Sequence, residues 1–354
     1  MTALRTSVWL ALGLVGLPGA ARAHEAWLLA PDEVIALSRA PVPELFTSPV
    51  VMMVGAGAAV LAMGVAMGVD GRLRRIEAAL FAPLAQRAAL MGPPLVRIGL
   101  ALMLGLAAFG GLPRAGTVIW TEPVLFVPNM QLGLAPGWVW IAPVQAVLAL
   151  MLLTGLLTRV AGLGVLALAL LGVWIFGAGF LPYAAHFAGP ALVLALLGGG
   201  YGALDRLLLD PVEATAPRRV ARWVWATVLA LTGGTFAWLA ISVKLTQPTL
   251  LIAILEHGEV PLLGLPLPVA ALGMAWVELV AGVLLALGIL VRAVAVFLIF
   301  AFTFFAVTIG ETPLFHANLY GLALMLLMAG RDCPRQRPDA SGPSRGWRKL
   351  EVVQ

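Results

Sequence analysis

Glu278–Gly330, ELVAGVLLALGILVRAVAVFLIFAFTFFAVTIGETPLFHANLYGLALMLLMAG, is the stretch whose reading decides the fold. It reads as two apolar helices with charge only where a bilayer makes charge costly or useful. Glu278 lies about ten residues inside an apolar run, Arg292 marks a hairpin, and Glu311 and His316 mark the opposite mouth. The layout occurs once before. Gln145, Gly155, Arg159 and Gly177 fall at offsets 0, 10, 14 and 32, and Glu278, Gly288, Arg292 and Gly310 fall at the same four offsets. His186 to Gly200 spans 14 residues, as does His316 to Gly330. A slip of three residues between Gly177 and His186 falls where a loop absorbs it. A pattern repeated at fixed spacing indicates a duplicated structural unit.

Composition sets the environment. The 354 residues are 61% hydrophobic and 11% charged, with mean hydropathy +1.00. Soluble domains carry about 25% charged residues, so the chain belongs in lipid. Apolar runs of more than 18 residues without period-two alternation are helices rather than barrel strands, because lipid leaves no external partner for backbone groups. The fold class is therefore an all-α polytopic membrane protein: two tandem four-helix bundle repeats preceded by one extra transmembrane helix. A basic balance of +5 does not point to nucleic acid, because most of the basic residues fall in short segments on one side of the membrane. One cysteine, Cys333, excludes an intrachain disulfide or a Cys-x-x-Cys redox pair.

Residues 1–23 have the form of a secretory signal, with Arg5, the apolar run Val8–Val15 and a small-x-small cleavage site at Ala21-Arg22-Ala23. Cleavage there exposes His24, whose amine and imidazole can chelate copper together. No second histidine lies in the arm, 24–47, to complete such a site, and a solvated arm is the plainer reading. The first transmembrane helix is placed at 48–69. Its Gly64 and Gly68 form a small-xxx-small pair suited to packing within the chain, with a dimer contact as the alternative. A basic cytoplasmic linker, 70–94, ends at the predicted breaker Gly92-Pro93-Pro94. Repeat 1 occupies 95–205, with spans at about 95–111, 138–157, 160–179 and 184–201 and an interfacial outer loop at 112–137. A second cytoplasmic linker, 206–221, leads to repeat 2 at 222–331, with spans at about 222–243, 268–290, 292–309 and 314–330. The tail, 332–354, is polar and reads as disordered. Nine spans with the mature N-terminus outside place 17 basic residues inside and three outside, which satisfies the positive-inside rule of a bacterial inner membrane.

This four-span unit resembles the DoxX/DoxD-like membrane family. The residues carrying the resemblance are Arg97-Ile98-Gly99, the Gly155–Arg159 and Gly288–Arg292 hairpins, His186 and His316, and the closing segments at Gly200–Asp205 and Gly330-Arg331. It covers about 95–331. The family usually has one unit per chain, so the duplication, the signal and the extra helix are departures. The resemblance implies a membrane subunit like that of thiosulfate:quinone oxidoreductase, or a relative in redox-linked or sorting complexes.

Read from the residues alone, Glu278 is the first candidate for chemistry, because an acid at membrane depth is costly and defaults to function. Lys244, at the outer end of the preceding helix, is its candidate partner, and Gln145 holds the uncharged equivalent place in repeat 1. A second cluster gathers Glu256, His257, Glu259, Glu311 and His316 at the outer mouth, with Trp276, Phe304, Phe305 and Phe315 as candidate flanks for a planar ring. A quinone site needs a narrow apolar slot with a donor and an exchangeable proton, which histidine and carboxylate supply. The candidate quinone- or substrate-binding set is therefore Glu278, Lys244, His257, Glu311 and His316. No His or Cys pair has metal-ligand spacing, and haem needs two facing transmembrane histidines, whereas His186 and His316 fall near span ends. Three functions fit. The first is a quinone-interacting accessory subunit with a periplasmic or membrane redox partner; the second is a non-catalytic scaffold or sorting subunit. The third is a small-solute transporter, for which few polar residues line a path.

Overall fold

A computed structural model describes residues 28–115, 117–208, 222–262, 264–310 and 312–332. The signal segment, His24, Glu311, Cys333, the second linker's 209–221 and the tail beyond Asp332 lie outside the described residues. Those described form helices and no strands, apart from an isolated bridge between Val124 and Gln131. Among the described residues, seven helices are long and apolar enough to cross a membrane: Pro49–Leu80, Ala82–Ala108, Pro136–Thr154, Thr158–Leu197, Arg222–Leu245, Leu267–Ala286 and Val291–Ile309. Thr158–Leu197 turns back on itself at Gly177 (φ 69°, ψ −156°), and a shorter apolar helix spans Pro313–Ala329. The protein is an all-α polytopic membrane protein.

Two short helices, α1 (Pro31–Arg39) and α2 (Glu44–Thr47), precede the long α3 (Pro49–Leu80). Repeat 1 comprises α4 (Ala82–Ala108), α5 (Ile141–Thr154), α6 (Thr158–Phe176) and α7 (Leu181–Leu197), followed by the short α8 (Leu204–Leu208). Repeat 2 comprises α9 (Arg222–Leu239), extended by a π-helical turn at Ala240–Leu245, the short α10 (Pro248–His257), α11 (Leu267–Ala286), α12 (Val291–Ile309) and α13 (Ala317–Ala329).

The hairpins α5–α6 and α11–α12 are one structure at an offset of 133 residues. Gly155 and Gly288 end their helices in the left-handed region (φ 71° and 68°). Leu156 N–H and Ile289 N–H reach back to Met151 O and Leu284 O at 2.9 and 2.8 Å, the paired closure that glycine permits at a helix C-terminus. Leu157 and Leu290 then both take positive φ (50° and 49°), which costs a branched side chain about 1 kcal/mol or more. The arginines two residues on serve one purpose. Arg159 donates to Leu196 O, and Arg292 donates to Leu327, Met328 and Ala329 O. Each cation thus satisfies carbonyls left open at the end of its repeat's last helix, where the helix dipole is negative.

Within each repeat the first two helices pack together, and so do the last two. Between repeats the closing helices are exchanged: α13 lies along α4, and α7 lies against α9. Small residues allow both approaches. Gly99 faces Ala317 and Asn318, Gly321 faces Leu95 and Val96, and Gly189 faces Thr232 and Val228. Inside repeat 2, Gly233 of α9 meets Gly282 and Ala286 of α11 with the same closeness. The core is thus built from the first and last helices of both four-helix units.

Three expectations are corrected. Gly92-Pro93-Pro94 does not break the chain, because α4 runs through it. Pro94 lacks the N–H that would have bonded Leu90 O, and Tyr201 N–H takes that acceptor at 2.9 Å. Much of the predicted linker is correspondingly helix, continuing α3 as far as Leu80 and opening α4 at Ala82. The loop at 112–137 does not simply lie on the interface. Trp120 and Trp140 are exposed, yet Leu125, Phe126 and Leu132 are fully buried, and Phe126 stacks on Phe187 at 4.2 Å. Irregular backbone at this depth is tolerated only where protein encloses it. Finally, nothing among the described residues lies within 4 Å of a side chain built at Gly64 or Gly68, so that pair packs against no other described helix.

Candidate functional site

Position 145 and its counterpart 278 sit at the same place in their repeats and hold different partners. Gln145 is fully buried; its amide donates to Val124 O at 2.8 Å and its carbonyl accepts from Phe126 N–H at 3.2 Å. One neutral side chain thereby satisfies the two backbone groups of the folded-in loop. Gln145→Leu is expected to lower stability by about 2–3 kcal/mol, since two buried polar groups lose their partner. Thermal unfolding in detergent measures it, and a wild-type midpoint would contradict the assignment.

At the equivalent position Glu278 pairs with Lys244, its Oε2 accepting from Nζ. The side chains are only 20% and 17% exposed. Lys244 is placed there by the π-helical turn Ala240–Leu245, whose extra residue per turn re-aims the side chain; such turns recur at functional sites. A charge pair at this depth is held by mutual attraction against a desolvation cost of several kcal/mol per ion.

Two histidines belong to a second cluster. His316 ends the 3-10 turn Pro313–His316, and His186 lies on α7. His186 is 2% exposed. The rings form a ladder across both repeats: His186 to Phe236 at 4.9 Å, Phe236 to Phe302 at 6.0 Å, and Phe302 stacked on His316 at 5.0 Å. Tyr320 edges onto Phe302 at 5.7 Å and exchanges a 3.0 Å hydrogen bond with Thr303. Next to Phe236 and Phe302 lies a shallow apolar dent, lined by leucines, Ala323 and Thr232 and too tight to hold a water molecule.

Of the sequence-derived set, Glu278 and Lys244 are in direct contact, and His316 stacks on Phe302. His257 stands apart: it is 61% exposed, its Nε2 lies 3.4 Å from Glu33 of α1, and Nδ1 meets Ala253 O. Glu256 and Glu259 are exposed beside it, and Glu311 lies outside the described residues. Trp276, Phe304 and Phe305 pack into a separate apolar cluster with Phe46 and α10; Phe315 packs against the main core. The residue that sequence reasoning left out of the set is His186. Spacing to Gly200 made it the counterpart of His316, whereas the matching helix ends are Gly198 and Gly330, which share near-identical dihedrals. Twelve residues before Gly330 stands Asn318, itself buried. His186 and His316 are therefore not symmetry mates but two members of one asymmetric cluster.

No family profile, curated protein or solved structure matches the chain.

Proposed function

We propose that the chain is a membrane subunit of a redox complex that receives a quinone headgroup beside Lys244, Glu278, His316 and His186, as its resemblance to the DoxX/DoxD-like family suggests. The observation that carries this reading is the partly buried Lys244–Glu278 pair, together with the ladder of rings that joins His186 to His316 across both repeats. The donor set fits the group. Lys244 and either imidazole can donate to a ring carbonyl, and Phe236 and Phe302 offer flat faces. A bound quinone supplies a two-electron acceptor; the chain's residues position it, exclude water and hold the exchangeable protons. The arginine-bearing end faces the cytoplasm of a bacterial inner membrane, the mature N-terminus faces outward, and the electron donor is a periplasmic or membrane partner.

Organic extraction of protein purified in mild detergent tests this reading. The expected result is co-purified quinone for the wild type and at least tenfold less for Glu278→Gln and His316→Leu, with the fold retained. A scaffold role has one observation in its favour: the same ion pair clips α9 to α11 beside the tight Gly233–Gly282 crossing. Quinone-free wild type, with normal growth of Glu278→Gln cells, would establish that role instead.

A further inference from the structure

The two hairpins have the same backbone, but different acids close them. In the first, Asp205 follows α7 in the same repeat and accepts Leu157 N–H and, at 2.8 Å, Thr158 N–H. In the second, Leu290 N–H is accepted at 3.0 Å by Asp70 Oδ1, which comes from α3, 220 residues earlier. Asp70 is buried, and its other oxygen holds Arg74 at 2.7 Å and Arg331 at 3.7 Å. Two turns further along α3, Glu77 pairs with Arg292 at 3.1 Å. The guanidinium of Arg292 also lies 5.0 Å over the ring of Phe81, a cation–π geometry. The same Arg292 caps α13.

We propose that the second hairpin is a docking site for an acidic helix end, and that α3 is the partner, carried on the same chain. The helix in front of the bundle supplies the cap that repeat 1 makes for itself. The rest of α3 supports this division of labour. Side chains built at Gly57, Gly64, Gly68 and Gly71 would meet nothing, while Gly55 lies close on Trp276 of α11 and Ala59, Met63 and Ala66 turn inward. The charged end grips the hairpin joining α11, which carries Glu278, to α12. This inference does not depend on a quinone.

Amide hydrogen exchange on the full-length protein in lipid nanodiscs tests it, read on peptides covering 286–292 and 155–159. In the wild type the Leu290 amide is protected. Asp70→Ala speeds its exchange about tenfold, the equivalent of one charge-assisted hydrogen bond, and leaves 155–159 unchanged. Asp205→Ala does the converse. Asp70→Asn, which keeps an acceptor oxygen, retains protection at 290. An unprotected Leu290 amide in the wild type, or an Asp70→Ala protein in which both hairpins loosen alike, overturns the proposal.

Discussion

Lys244→Met is expected to destabilise the protein by about 2–3 kcal/mol. Breaking a buried pair from one side strands the other charge, and the usual loss of about 3–5 kcal/mol is reduced here because both groups retain some exposure. Glu278→Leu alone strands the lysine and should cost a similar amount. The double variant Lys244→Met, Glu278→Leu should recover most of the loss, because paired charges replaced together by apolar groups leave nothing unsatisfied. Reversible unfolding in bicelles measures all three. Single variants as stable as the wild type would mean that the ions are not held against one another. The double variant carries a second lesson. If it is stable but no longer retains quinone, the pair serves binding; if it retains quinone, the pair serves only the packing of α9 on α11.

Valine at Gly99 or Gly321 is expected to separate the two repeats, at about 3 kcal/mol each. A side chain at Gly99 would run into Ala317 O, and one at Gly321 into Leu95 O. These are backbone atoms on helices that pack along their length, so no rotamer change relieves the clash, and the helices must move apart. The damage should show as dissociation of α13 from α4 and collapse of the His186–His316 cluster, because those histidines belong to opposite repeats. Gly57→Val and Gly64→Val, on the open face of α3, are the controls and should change stability by about 0.5 kcal/mol or less. Normal unfolding of Gly99→Val would contradict the close crossing.

Which features could be read from the chain follows from how local their causes are. Gly155 and Gly288 end helices through their own backbone freedom, and Arg159 and Arg292 sit where a helix start meets a helix end, so the hairpins were legible as spacing. Gln145 and Glu278 were legible as a matched pair for the same reason, and Lys244 as the partner in reach. The partners of Pro94 and Leu290 were not. Tyr201 lies 107 residues from Pro94 and Asp70 lies 220 from Leu290, and nothing at either position advertises the other. A Pro-Pro pair reads as a break because its own turn loses donors; whether another segment supplies one is a tertiary fact. His186 escaped for a subtler reason. Glycines cluster at Gly198-Gly199-Gly200, and counting from the wrong one shifts the helix by two residues, enough to exchange a histidine for Asn318. The buried loop around Phe126 was hidden because an apolar segment between prolines fits the interface as readily as the core.

The exchange of closing helices creates the charged junction, so a disulfide trap across it is the most direct test. With Cys333→Ser as background, Gly189→Cys on α7 and Thr232→Cys on α9 should form a disulfide on oxidation in native membranes. A chain cut at an engineered protease site in the linker after Leu208 should then remain a single full-length band until reduced. Two separate fragments after complete oxidation would show that α7 does not lie on α9, and the site built across the repeats would have no basis.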